Sequence, residues 1–457
     1  MNNKVKKFEP NWDSLDSRVI PEWFQKAKFG IFIHWGVYSV PAWRKVNNAL
    51  FGSYAEWYYA SVYSDYNNND DDFHSRIYGK DFLYRDFAKS FHAELFSAEQ
   101  WAELFKKAGA KYVVLTSKHH EGYCMWPTKN KHKKNWRVGD VGPKQDILGS
   151  LTQAVRNQNM KMGVYYSMVD WETNWSHRPK SGYFVPERDR KLFGISEQKY
   201  PDEILIPQLK ELVELYQPSV IFSDGGEWDL SEEYSQAKEF LAWLYNNAPN
   251  KDEVVVNDRF CVDMPGNHGD YYSTEYNDKE GFGKIHPWEE SRGIGKSYGF
   301  NRAEQICDYR TSEQLIHQMI EIVSKGGNFL LNVGPTADGR IPLLQQERLI
   351  DIGKWMEINS EAIYDTTFTH RIKTPSDSHQ FVTEKENVNY LMMTAWPTDS
   401  IQLQLNEVVN VKACLLLTHN GEIPVTFNVQ NDTIIIDPLP LSLKDNLVFA
   451  YTIKVVF

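Results

Sequence analysis

The chain has 457 residues, of which 42% are hydrophobic and 24% charged, so it is long enough to bury the core of one large domain and of a smaller one. Its formal net charge of -11 at pH 7 excludes nucleic acid and an anionic membrane as main partners, because both require clustered Lys and Arg. No apolar run reaches about 18 residues and no apolar leader follows the first residues, so we expect a soluble protein. Its compartment stays open: cytoplasmic for the chain as it stands, and periplasmic, secreted or lysosomal where a signal peptide has been removed.

Strand-like and helix-like segments alternate along most of the chain. The predicted strands are Lys28–Ile33, Tyr112–Thr116, Met162–Tyr166, Ser219–Phe222, Val254–Asn257 and Phe329–Val333. The predicted helices are Ser97–Gly109, Ile147–Gln158, Asp202–Tyr216, Glu232–Tyr245, Ser312–Ser324 and Leu344–Ile358. This alternation is typical of a parallel sheet, and at this length it favours an irregular (β/α)8-like barrel of the TIM type over residues 1–364.

The texture of the sequence changes after residue 364. Short alternating runs without helical spacing follow, including Val388–Ala395, Ile401–Leu405 and Thr433–Ile436, and turn signals such as Asn420-Gly421 separate them. We therefore predict a C-terminal all-β sandwich domain over residues 365–457. Within the first domain, the polar insertion between Tyr63 and Arg85 is predicted to be a loop.

Polar side chains gather where the predicted strands end. Asp224 ends a buried apolar run and is followed by two glycines, His34 follows the first strand, and His119 and His120 follow the second. The C-terminal ends of parallel strands meet at one mouth of a barrel, where such folds carry their active sites. We therefore expect these side chains in one site, the alternative for Asp224 being a cap of the next helix.

Neither a metal ion nor an organic cofactor is indicated. Adjacent histidines such as His119 and His120 point apart on an extended chain, so they rarely bind one ion, and they suit hydrogen bonds to substrate hydroxyls better. The four cysteines are scattered without a Cys-x-x-Cys pair. No glycine-rich phosphate-binding motif follows a predicted strand.

The acids at this mouth suit the hydrolysis of a glycosidic bond. A retaining glycosidase needs an ionised carboxylate as nucleophile and a protonated carboxyl as acid/base, about 5 to 5.5 Å apart. Asp224 fits the first role because its short side chain lies at the end of a rigid strand. The second carboxyl has to come from another segment, and Glu275, Glu289 and Glu290, all expected on loops, are the candidates. Fifteen tryptophans favour carbohydrate as the ligand, although a Trp-rich core would explain them equally well.

Six motifs occur together in one order along the chain. They are Lys28–Gly36 (KFGIFIHWG), Glu56-Trp57, Thr116–Gly122 (TSKHHEG), Phe222–Gly225 (FSDG), Pro287–Glu289 (PWE) and Asn328–Pro335 (NFLLNVGP). In combination they closely resemble the α-L-fucosidases of glycoside hydrolase family 29, over about residues 10–364. The resemblance implies a retaining exo-α-L-fucosidase that acts on fucosylated oligosaccharides or glycoconjugates and needs no cofactor.

The resemblance also implies roles for single residues. Asp224 matches the family's nucleophile by motif. The residues that the resemblance implies for fucose binding are His34, Glu56, Trp57, His119, His120, Tyr165 and Arg259. Two positions depart from the family pattern: Phe222 stands where Trp is frequent, and Tyr298 lies in a segment with a different sequence. We include both among the substrate-binding residues.

The acid/base is chosen between two candidates. We predict Glu275, which lies in the Thr-Glu-Tyr segment upstream of Trp288-Glu289, and keep Glu289 as the alternative. Two other functions fit the same residues: a retaining barrel glycosidase for another sugar, such as a galactoside, and a non-catalytic carbohydrate-binding protein. The sequence leaves the linkage, the leaving group and the oligomeric state open.

Overall fold

Eight parallel strands form the central sheet of the computed structural model, which describes residues 7–49, 51–63, 73–172, 191, 199–276, 286–373, 379–407, 409–444 and 447–457. The strands are β1 (Phe29–Ile33), β2 (Tyr112–Lys118), β3 (Lys161–Ser167), β4 (Val220–Asp224), β5 (Val255–Val256), β6 (Tyr272–Glu275), β7 (Trp288–Gly293) and β8 (Asn328–Val333). They pair in the order β5-β4-β3-β2-β1-β8-β7-β6. β1 lies between β2 and β8, as in a barrel, but in the described part of the chain no ladder joins β5 to β6.

Helices follow most of these strands. In chain order, the α-helices of the described residues, α1 to α12, span Trp12–Leu15, Glu22–Ala27, Tyr58–Tyr63, Phe73–Tyr78, Ala98–Ala108, Ile147–Asn157, Ile206–Tyr216, Gly226–Asp229, Glu232–Ser235, Ala237–Asn247, Ser312–Ser324 and Leu343–Asn359. The helix α5 shows how the sequence sets their bounds. Ser97 caps it by accepting a hydrogen bond from the Gln100 amide, and Gly109, with φ of 92°, ends it in the left-handed region that glycine adopts without strain.

The predicted irregular (β/α)8-like barrel is confirmed, but two of its strands and one helix differ from the prediction. Glu275 and Glu289 were expected on loops and lie on β6 and β7, so that expectation is wrong. The sequence of β7 is charged and lacks an apolar pattern, and it forms a strand because it pairs with β8 in the barrel. The helix predicted over Glu232–Tyr245 is interrupted at Gln236, which has a left-handed φ of 53°.

The polar insertion between Tyr63 and Arg85 was predicted to be a loop. Residues 64–72 of this segment lie outside the described residues. After them, Phe73–Tyr78 forms the helix α4, so the loop prediction is wrong for this part. The ring of Phe73 stacks on Trp43 with a centroid distance of 3.9 Å, a contact that favours the packed helix.

The strands that the structure describes after residue 364 pair antiparallel. They are β9 (Thr367–Phe368), β10 (Gln380–Lys385), β11 (Val388–Met393), β12 (Ile401–Gln404), β13 (Ala413–Thr418), β14 (Gly421–Pro424), β15 (Phe427–Gln430), β16 (Thr433–Ile436) and β17 (Tyr451–Val456). A six-stranded sheet and a three-stranded sheet share one apolar core, to which Leu391 and Ile453 contribute from the first and Leu403 and Ile434 from the second. The predicted all-β C-terminal region is therefore confirmed as a sandwich. We propose the domain division after residue 364, between the last barrel helix and β9.

Candidate active site

A cavity of about 400 Å³ opens at the C-terminal ends of the barrel strands. The predicted site residues that line it are His34, Glu56, Trp57, His119, His120, Tyr165, Phe222, Asp224, Arg259, Glu275 and Tyr298. They come from β3, β4 and β6 and from the segments that follow β1, β2, β5 and β7, so only the barrel brings them together. Glu289 is the one predicted site residue that does not line this cavity.

Asp224 is the last residue of β4 and is held from two sides. The hydroxyl of Tyr165 donates to Oδ2 at 2.7 Å, and Nη1 of Arg259 lies 3.2 Å from Oδ1. The N-cap of the following helix α8 is Gly225, and no side chain caps it. The helix-capping alternative for Asp224 is therefore wrong, and its carboxylate faces the cavity with a fixed orientation.

Arg259 connects three carboxylates. Its Nη1 lies 3.2 Å from Asp224, 3.6 Å from Glu227 and 3.7 Å from Glu275. Its Nε donates to Ser273 Oγ at 2.9 Å, and Ser273 Oγ in turn donates to Asp258 at 2.7 Å. The guanidinium is thus fixed by the β5 and β6 segments, and it compensates the negative charge of the group.

Glu275 faces Asp224 across this guanidinium. Since one nitrogen contacts both carboxylates, at 3.2 Å and 3.7 Å, the two oxygens are no farther apart than the two distances together, about 6.9 Å. Tyr54 donates its hydroxyl to Glu275 Oε1 at 2.5 Å. Burial raises the pKa of Glu275, while Arg259 and Tyr54 act in the opposite direction. A carboxyl that holds its proton to higher pH than usual suits a general acid.

Glu289 lies deeper in the barrel. Ser291, two residues farther along β7, lines the cavity, so Glu289 is one layer below it, about 6 to 7 Å along the strand. Its side chain has no exposed surface and accepts a hydrogen bond from the hydroxyl of Tyr112. Burial raises the pKa of Glu289 to about 8. This position is that of a neutral acid in the barrel interior.

Three histidines form one wall of the cavity, and all are buried. Burial lowers the pKa of His34 and His120 and lowers the pKa of His119 to about 3. The rings are therefore neutral at ordinary pH, and each offers one donor and one acceptor. Such groups suit the hydroxyls of a neutral ligand.

Aromatic rings line the other walls. Trp57 packs against Trp228 with a centroid distance of 5.7 Å, and Phe222 lies 5.0 Å from Phe32. The ring of Tyr298 lies 4.8 Å from His34. Polar groups set between apolar walls suit a sugar. The polar groups can form hydrogen bonds with its hydroxyls, and the aromatic side chains can pack against the apolar faces of the sugar ring.

Glu56 is a buried acid that lines the cavity. It lies in the 3₁₀ helix Ala55–Trp57, and its Oε2 accepts hydrogen bonds from the Gly299 amide at 2.8 Å and from Ser297 Oγ at 3.0 Å. Burial raises the pKa of Glu56 to about 7. These contacts join the segment after β1 to the segment after β7.

Among the cavity residues that sequence reasoning missed, Tyr54 and Glu227 lie beside the candidate carboxylates and Arg259. Tyr54 could have been found from its position, because it lies two residues before Glu56, in a segment that the sequence already assigned to ligand binding. Glu227 lies three residues after Asp224, and burial raises its pKa to about 8. Both acids lie beside Arg259, whose Nη1 is 3.2 Å from Asp224 and 3.6 Å from Glu227.

The barrel, the polar and aromatic cavity at its C-terminal mouth and the two carboxylates on either side of Arg259 define a glycoside hydrolase. A model of the family described as alpha-L-fucosidase matches residues 1–361. The chain is 41% identical to the tissue alpha-L-fucosidase of Bos taurus over 394 residues, 86% of this chain and 78% of that protein. It is 38% identical to the alpha-L-fucosidase of Dictyostelium discoideum over 92% of this chain and 88% of that protein.

Solved structures of α-fucosidases have the same fold as this chain. The Thermotoga maritima alpha-fucosidase in complex with a mechanism-based inhibitor superposes with a TM-score of 0.81 at 36% identity, covering 99% of this chain and all of that one. The same enzyme in complex with fucose gives a TM-score of 0.81 at 35% identity over 98% of this chain and all of that one. The chain belongs to the α-L-fucosidase family, and the resemblance given by its motifs is confirmed. It is an α-L-fucosidase, a hydrolase that cleaves glycosidic bonds.

The described residues include neither a cluster that could hold a metal ion nor a helix that could cross a membrane. No group of three or more His, Cys, Asp or Glu among them is arranged to hold a metal ion. Their helices include none with the length and apolar character needed to cross a bilayer.

Proposed function

We propose that this enzyme releases terminal α-linked L-fucose with net retention, with Asp224 as nucleophile and Glu275 as acid/base. The observation that supports these roles is the position of Arg259, whose Nη1 contacts both carboxylates and limits their separation to about 6.9 Å. A retaining pair is about 5 to 5.5 Å apart, while an inverting pair is about 6.5 to 9.5 Å apart. All separations of a retaining pair fall below this limit of about 6.9 Å, whereas only the shortest separations of an inverting pair do.

The reaction has two steps. In the first, Asp224 attacks the anomeric carbon, the bond to the leaving oxygen breaks, and Glu275 gives its proton to that oxygen. In the second, Glu275 takes a proton from water, the resulting hydroxide attacks the anomeric carbon, and Asp224 leaves. Two inversions give net retention, and both carboxyl groups return to their starting states.

The remaining cavity residues hold the sugar in this proposal. His34, His119, His120 and Glu56 face its hydroxyls, while Trp57 and Phe222 pack against its apolar surfaces. Tyr165 and Arg259 orient Asp224 and balance its charge before the attack. The substrate is a fucosylated oligosaccharide or glycoconjugate whose leaving group exits past Glu275.

An assay of the product anomer tests this proposal. With a nitrophenyl α-L-fucoside, the first L-fucose released is expected to be the α-anomer, observed by proton NMR before mutarotation. The matched α- and β-galactosides should be hydrolysed at least about 100-fold more slowly, because an additional hydroxyl or an altered configuration leaves buried polar groups unpaired. Release of the β-anomer first would exclude retention, and comparable turnover of a galactoside would exclude specificity for fucose.

Two tyrosine variants separate Glu275 from Glu289 by the pH dependence of kcat/KM. A hydroxyl that donates to a carboxylate stabilises the charged form and lowers its pKa. Tyr54→Phe removes this donor from Glu275, so the pKa of Glu275 is expected to rise further and the basic limb of the profile to move to higher pH. Tyr112→Phe removes the equivalent donor from Glu289 and should leave that limb in place. The opposite pattern would assign the acid to Glu289.

A further inference from the structure

Two histidines of the cavity, His34 and His120, and two histidines elsewhere, His286 and His317, contact the protein through different ring nitrogens. His34 and His120 use Nδ1 for their hydrogen bonds to the protein. His286 and His317 use Nε2, which lies 3.0 Å from the Gly269 carbonyl and 2.8 Å from the Phe449 carbonyl. A carbonyl oxygen only accepts, so the latter two rings carry their proton on Nε2. His34 and His120 have different partners, and these partners determine which ring nitrogen carries the proton.

The partner of His34 is Asn332 at the end of β8. Nδ2 of Asn332 donates to the Tyr298 carbonyl at 2.7 Å, which turns its Oδ1 toward His34 Nδ1 at 2.7 Å. An amide oxygen has no hydrogen to give, so the ring nitrogen has to donate. His34 therefore carries its proton on Nδ1, and its Nε2 is left with a lone pair.

The partner of His120 is Ser167 at the end of β3. Ser167 Oγ lies 2.7 Å from the Val169 carbonyl, and two oxygens this close need a hydrogen between them. That hydrogen is the one on Ser167 Oγ, so Oγ accepts from His120 Nδ1 at 2.6 Å. His120 is thus protonated on Nδ1 as well.

A distance on the other side of the His120 ring supports this assignment. Nε2 lies 3.5 Å from Asp224 Oδ2. A ring N–H facing a carboxylate would form a bond of about 2.7 to 2.9 Å. At the longer separation no such bond is formed, and Asp224 Oδ2 takes its hydrogen bond from Tyr165 instead.

We propose that Asn332 and Ser167 are positioning residues that fix the Nδ1–H tautomer of His34 and His120, so that both histidines present an acceptor to the cavity. This inference rests on the proposed function, which supplies the sugar as ligand. It specifies the direction of two hydrogen bonds: at these two positions a sugar hydroxyl must donate. A group that only accepts hydrogen bonds, such as an ether oxygen in place of the hydroxyl, is excluded there. Neutral rings in one tautomer also add no positive charge beside Asp224.

The tautomers are measured directly by long-range ¹H–¹⁵N correlation spectra of the full chain labelled with ¹⁵N-histidine, in which the protonated and unprotonated ring nitrogens differ widely in chemical shift. Signals are assigned by their loss in His34→Gln and His120→Gln. We expect Nδ1–H for both residues and Nε2–H for His286 and His317, which serve as internal references. An Nε2–H signal for His34 or His120 in the free enzyme would overturn the proposal, whether or not the enzyme turns over a fucoside.

Variants of Ser167 separate positioning from a general structural role. Ser167→Ala removes the acceptor, so the His120 signals are expected to show a mixture of tautomers and KM for an aryl fucoside to rise about tenfold, with a smaller change in kcat. Ser167→Thr keeps the hydroxyl and is expected to keep the Nδ1–H signal and most of the wild-type KM. An unchanged tautomer in a folded Ser167→Ala variant would assign Ser167 to structure alone, and if that variant does not fold, the wild-type spectra still decide the proposal.

Discussion

Replacing Asp224 by Gly is expected to lower kcat for an aryl α-L-fucoside by at least about 10⁴-fold, because the step that forms the covalent intermediate loses its nucleophile. The fold should persist, since the side chain lies at the cavity surface and the backbone of β4 keeps its pairing with β3. Initial rates and the unfolding midpoint measure the two effects. The matched control is Asp252→Gly, which changes an exposed turn residue before β5 and should retain wild-type turnover.

Azide distinguishes a missing nucleophile from a damaged site. In the Asp224→Gly variant it can occupy the space of the carboxylate and attack the anomeric carbon directly, so the product should be the glycosyl azide of inverted, β configuration. Turnover is expected to increase with azide concentration, and NMR of the product identifies the anomer. A fully active Asp224→Gly enzyme, or the same azide effect in Asp252→Gly, would remove Asp224 from the nucleophile role.

The second large effect concerns the acid/base. Glu275→Ala is expected to spare the first step for a dinitrophenyl fucoside, whose leaving group needs no proton, and to lower kcat/KM about 10²- to 10⁴-fold for a poor leaving group. Azide should then accelerate the second step and give the glycosyl azide of retained, α configuration. A series of aryl fucosides with leaving groups of different pKa measures the dependence.

Glu289→Ala is the comparison for this experiment. Glu289 is fully buried and bonded to Tyr112, so its removal is expected to lower the unfolding midpoint and the rates on all leaving groups alike, without rescue by azide. If rescue by azide appears in Glu289→Ala and not in Glu275→Ala, the roles of the two acids are reversed. If it appears in neither, the acid lies elsewhere, and Glu227 is the next candidate because it shares Arg259 with Asp224.

The sequence predicted the barrel well where strands are apolar and helices are amphipathic. Six strands were found because runs such as Val220–Phe222 are buried on both faces and stay hydrophobic throughout. β7 was missed because both of its faces carry acids, Glu289 and Glu290, which are fully buried, and β6 was missed because it ends in the acid Glu275. A local pattern does not distinguish a charged strand inside a barrel from a polar loop.

Contacts between segments distant in sequence could not be predicted from local patterns or motifs. The hydrogen bond from Tyr54 to Glu275 spans 221 positions, and the one from Tyr112 to Glu289 spans 177. Motifs identified Glu275 and Glu289 as similar candidates, since both are acids with aromatic neighbours. The structure differentiates them, because one faces the cavity and the other lies a layer below it.

By itself the sequence determined the βα alternation, the all-β C-terminal region, the family and the identity of Asp224 at the end of its strand, because these depend on local burial patterns and on short motifs. The tertiary structure alone decided which acid faces Asp224, that one Arg259 nitrogen contacts both, and which ring nitrogen of His34 and His120 bonds to the protein. Those properties depend on distances and hydrogen bonds between strands of different parts of the chain. Such contacts form only when the strands curl into the barrel and their C-terminal ends meet.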